Sequence, residues 1–90
     1  MDNLQVEDSK LKLNIHFKLI HPYKHFNFVF DYGTKVKDVL NRFSIEIGKP
    51  KDKYIFLFNA RKLDYNDERK IENIFDNNAF INVLMKNDFF

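Results

Sequence analysis

The chain has 90 residues, enough for one hydrophobic core and too few for two. It contains no cysteine, which excludes disulfides, thiolate metal sites and a cysteine nucleophile, and no apolar run approaches the ~20 residues of a membrane-spanning helix. Fifteen basic and thirteen acidic residues interleave to a net charge of +2, so no strong field is available to capture nucleic acid or acidic lipid.

Residues 1–10 carry charge without periodicity and are expected to form a flexible leader. They lack the basic start and apolar run of a signal peptide, which points to the cytoplasm or nucleus. From Leu11 the pattern changes. Leu11, Leu13, Ile15, Phe17 and Leu19 alternate with Lys12, Asn14, His16 and Lys18, the period of two expected for a strand with one buried and one wet face. His21-Pro22-Tyr23-Lys24 breaks this strand, and Phe26, Phe28 and Phe30 alternate with Asn27 and Val29 in a second strand that returns as a hairpin. Two strands with one apolar face each cannot stand alone in water, so a cover must follow.

The cover is predicted immediately downstream. Asp31-Tyr32-Gly33 is a turn, Thr34 is the expected N-cap, and Val36, Val39, Leu40, Phe43 and Ile47 recur at helical spacing. Gly48 suits the position after the helix, where a left-handed conformation costs glycine little, and Pro50 prevents continuation. Tyr54-Ile55-Phe56-Leu57-Phe58 reads as a strand buried on much of both faces. A turn at Asn59-Ala60 returns the chain through Lys62-Leu63 as a brief edge strand. Ile71, Ile74 and Phe75 suggest one tight helical turn, and Phe80, Ile81, Val83, Leu84 and Met85 form the last strand after the turn Asp76-Asn77-Asn78. The expected class is α+β, a mixed sheet of four to five strands on one helix in the order ββαββ, helical turn, β.

With these residues in place the chain resembles the ubiquitin family. Phe26 to Leu63 aligns without a gap: Phe26, Phe28 and Phe30 fall in the second strand, Val36, Val39 and Phe43 on the helix, Gly48, Pro50 and Asp52 at the helix end, Phe56 and Leu57 in the central strand, Leu63 on the short fourth strand. Phe80-Ile81-Asn82-Val83-Leu84 is similar to the last strand of small ubiquitin-like modifiers. The resemblance covers about residues 11–86 and implies a β-grasp fold, with residues 87–90 as a tail. Modifiers of this family end in Gly-Gly, whereas this sequence has only Gly33 and Gly48 and ends Met85-Lys86-Asn87-Asp88-Phe89-Phe90. Conjugation through a diglycine tail is therefore not expected.

The family is read by partners through the outer face of its sheet. The resemblance carries that patch to Leu57, Asn82, Leu84 and Ile20, with Arg61 and Lys86 as a charged rim; Asn82 stands where ubiquitin has a histidine. Phe89 and Phe90 are a candidate tail contact for self-association. His16, His21 and His25 gather around the first hairpin, but no cysteine or nearby carboxylate completes a ligand set, so they read as a solvated hairpin and no metal or cofactor is expected. No nucleophile setting or glycine-rich phosphate loop is present, so no catalytic residue is assigned and the chain is read as a non-enzyme. The expected role is a non-catalytic ubiquitin-like adaptor that binds another protein, a ubiquitin-system receptor or an assembly partner. The alternatives are a structural subunit of a larger complex and, behind it, a β-grasp module for a small GTPase or nucleic acid.

Overall fold

A computed structural model of the protein describes residues 11–86. The leader 1–10 and the tail with Phe89 and Phe90 lie outside the described residues. Strands β1 (Lys12–Leu19) and β2 (Lys24–Asp31) form a hairpin, helix α1 (Val36–Ile47) follows, and β3 (Tyr54–Phe58), β4 (Arg61–Lys62) and β5 (Ala79–Met85) complete the sheet. The strands lie in the order β2-β1-β5-β3-β4. β1 runs parallel to β5, and every other neighbouring pair is antiparallel. The protein is thus a small α+β structure with one helix on a five-stranded mixed sheet, an arrangement consistent with a β-grasp-like fold.

Alternation dictates which side of the sheet the helix covers. Leu13, Ile15, Phe17 and Leu19 of β1 are buried, as are Tyr54 and Phe56 of β3 and Ile81 and Val83 of β5. Val36, Val39, Leu40 and Phe43 of α1 meet them at zero exposure. Phe43 is the hub. Its ring stacks on Phe17 at 4.8 Å and meets Phe26, Tyr54 and Phe56 edge-on at 5.4–5.7 Å, the offset and T-shaped geometries that aromatic quadrupoles favour. The β2 phenylalanines are half-buried at the sheet's margin, where the Arg42 guanidinium lies 4.6 Å over the Phe28 ring.

Two expectations at element ends are corrected. Leu11 lies outside β1 and is half-exposed; its carbonyl accepts the Tyr32 N–H at 2.9 Å, closing the open end of the hairpin. Thr34 is not the N-cap of α1. Its hydroxyl donates to the Asp31 carbonyl at 2.7 Å, and Lys35 occupies the cap position with no side-chain capping bond. The reason lies across the chain: the Val36 and Lys37 N–H groups, which a capping side chain would otherwise share with water, donate at 2.9 Å to the carbonyls of Arg69 and Asp67. At the other end Gly48 takes the left-handed conformation (φ 75°) and its N–H donates to Ser44, as read from the sequence.

The loop that caps the helix is ordered by charge. Asp67 is 8% exposed and accepts from the backbone N–H, Nε and Nη2 of Arg69 at 2.6–3.0 Å, and these bonds hold its carboxyl below the usual range. Glu68 lies between Lys35 (2.8 Å) and Lys37 (2.9 Å), whose ammonium groups push its pKa down to about 2. Ile71, fully buried, anchors a single 3-10 turn (Ile71–Asn73) where the helical turn was expected. Among the described residues no helix is long and apolar enough to cross a membrane.

Candidate functional site

The same alternation that fills the core sends the other set of side chains outward, away from α1. On β3 these are Ile55 and Leu57, and on β5 Phe80, Asn82 and Leu84. Antiparallel register places Ile55 opposite Leu84 and Leu57 opposite Asn82, and the parallel ladder places Asn82 opposite Lys18 and Phe80 opposite His16. Directly opposed side chains on one face are in contact range. Ile55, Leu57 and Leu84 are consequently only half-buried: they shelter one another, and no element among the described residues packs over them.

Leu57, Asn82 and Leu84 are therefore brought together on adjacent strands. Ile20 follows β1 one residue past the Leu19–Val83 pair, at the level of Leu84, with its N–H donating to the Val83 carbonyl at 3.2 Å. Lys86 lies at the end of β5, its ammonium 5.3 Å from the ring centre of Tyr65. Arg61 is not on the rim of this patch. It pairs with Phe58, in the inward phase of β3, and the cation opposite Leu57 is Lys62. The turn at Asn59-Ala60 sets this register, with both residues at positive φ (52° and 65°), so that a two-residue connection swaps the outward phase to Lys62.

Three outward residues were missed in the sequence: Ile55, Lys62 and Phe80. Phe80 is 43% exposed, and its ring stacks on His16 at 4.7 Å while the Lys18 ammonium lies 4.3 Å over it. The signal for it was present in Asn82. If that polar residue marks the wet face of β5, residues two before and two after share it. The expected solvated histidine hairpin is also more ordered than its composition suggests, since His16 Nδ1 lies 2.8 Å from His25 Nε2 and His16 Nε2 lies 3.1 Å from Asn78 Oδ1. His21 is exposed in the turn.

The electrostatics of the outer face are one-sided. Asp31 is the only carboxylate in any of the five strands, and it is bound to Lys12 at 2.7 Å at the far end of the hairpin. Lys18 and Lys62 have no carboxylate within ion-pair distance among the described residues. The other carboxylates among the described residues lie on the helix, in the loops and in the 3-10 turns. The face therefore combines aliphatic surface at β3 and β5 with basic groups on both sides of it.

No family model matches the chain, and no curated protein matches it in sequence.

Proposed function

We propose that the chain is a ubiquitin-like domain of the β-grasp type that acts without catalysis, binding another protein through the outer face of its sheet. The observation that carries this reading is the set Ile55, Leu57 and Leu84, side by side on the face turned away from α1, with Lys18 and Lys62 flanking them and no carboxylate among the described residues of that patch. Apolar centre and charged rim are the anatomy of a protein interface. The partner segment that fits offers aliphatic side chains to the leucines and carboxylates to the lysines, which would also steer its approach. A patch of this size supports transient binding, since interfaces below ~1,200 Å² are weak.

Heteronuclear NMR titration of the chain with a panel of ubiquitin-receptor domains tests the reading. Binding in fast exchange is expected to shift the amides of Leu57, Asn82 and Leu84 and to weaken with added salt. A panel that leaves those three amides unmoved, or that moves residues of α1 instead, overturns it.

A further inference from the structure

His16 and His25 lie on the same outer face but at the hairpin end, away from the aliphatic patch, and their geometry has its own logic. His16 Nε2–H donates to Asn78 Oδ1 at 3.1 Å, which leaves His16 Nδ1 as a lone pair, 2.8 Å from His25 Nε2. Asn78 is itself held: it has φ 69°, and its N–H donates to the Asn14 carbonyl at 2.8 Å. Phe80 stacks on the His16 ring at 4.7 Å, with 28° between the planes. His16 is thus fixed in tautomer and in plane before any ligand arrives. An oxygen acceptor on the far nitrogen is the usual outer-shell partner of a metal-bound histidine, because it orients the ring and raises the basicity of the ligating nitrogen.

We propose that His16 Nδ1 and His25 Nε2 form a two-histidine site for a divalent transition-metal ion that prefers imidazole, of the zinc or copper type. Two imidazoles on one tetrahedral ion at about 2.0–2.1 Å have ring centres about 5 Å apart, and the two rings stand 5.0 Å apart with 33° between their planes. The rings need to pivot and not to travel. The pivot opens the nitrogen pair from 2.8 Å to about 3.3 Å, the spacing set by two such bonds at a tetrahedral angle. The His25 proton moves from Nε2 to its Nδ1 through solvent, so each ring presents a lone pair to the ion with no net proton change. Among the described residues no three His, Cys, Asp or Glu side chains converge. The described residues therefore supply two ligands and water the rest, and imidazole donors select zinc or copper over magnesium or calcium.

The test is calorimetric and NMR titration of the full chain with Zn2+ alone. One equivalent is expected to bind, moving the imidazole signals of His16 and His25 and leaving those of His21 in place. His16→Gln and His25→Gln should each weaken binding at least about tenfold, and His21→Gln should not. His25 is exposed near the start of the edge strand, so His25→Gln keeps the test valid if His16→Gln perturbs folding. Absence of saturable binding, binding that survives His25→Gln, or binding lost with His21→Gln overturns the proposal.

Discussion

The two faces of the sheet are made by the same strands, yet they are built on different rules. The inner face is a continuous aromatic cluster around Phe43, with Phe17, Phe56 and Tyr54 almost wholly removed from water. The outer face is a mosaic: three half-buried aliphatic residues, a half-exposed phenylalanine, a histidine pair and lysines. Neighbours in sequence such as Phe56 and Leu57, or Val83 and Leu84, thus belong to different physical regimes. Stability should concentrate on one face and recognition on the other, and the two should be separable by mutation.

Substitutions of like residues on opposite faces are the sharpest way to break that contrast. Phe56→Ala on the inner face is expected to lower unfolding free energy by about 3–5 kcal/mol in urea denaturation. Leu57→Ser with Leu84→Ser on the outer face should cost about 1–2 kcal/mol each, because only part of each side chain leaves water on folding, while partner affinity in the NMR titration falls at least about tenfold. Phe80→Ala should cost about 1 kcal/mol or less, the scale of its stacking on His16. Equal costs for Phe56→Ala and Phe80→Ala would refute the division between faces.

The smallest effect lies off both faces, in the capping loop, and appears as a dependence on pH. Glu68 titrates at about 2 in the folded chain against an ordinary 4.5, because Lys35 and Lys37 favour its charged form. The unfolded chain therefore takes up the proton first as pH falls. Its contribution to stability is complete above about 4.5 and is lost progressively as pH drops toward about 2. Asp67, lowered by Arg69, acts in the same direction. Glu68 is exposed, so salt should weaken the effect. Glu68→Gln is expected to flatten this acid limb in denaturation curves measured between pH 5 and pH 2, and an unchanged limb would show that the ion pairs contribute nothing.

How much of this was legible in the sequence depended on how cleanly each strand alternates. β1 is readable because lysine, histidine and asparagine mark every second position, and α1 because its apolar stripe and Gly48 agree. β3 is five apolar residues in a row, so either phase fits the sequence, and Ile55 was not placed beside Leu84 until the sheet register decided it. Arg61 and Lys62 are adjacent cations, and only the conformation of the Asn59-Ala60 turn selects which one faces Leu57. Thr34 is a good capping residue by type, but the loop from Asp67 to Arg69 reaches the helix first, a tertiary contact that no local pattern carries. The contact between His16 and His25 likewise follows from hairpin register, in which the two are diagonal neighbours on one face.

The parallel ladder between β1 and β5 has a consequence for how the chain is made. Ile15 pairs with Ala79, residues 64 positions apart (79 − 15), so the central strand β5 and its neighbour β1 come from opposite ends of the described sequence. During synthesis the hairpin and α1 can meet early, but β3 is joined to the hairpin only through β5, a strand that emerges much later. Contacts of such long range make folding slow compared with helical bundles of the same size. Until Ala79–Met85 has left the ribosome, the buried side chains of β1 and β3 lack Ile81 and Val83 between them, and that interval is when a chaperone would be needed.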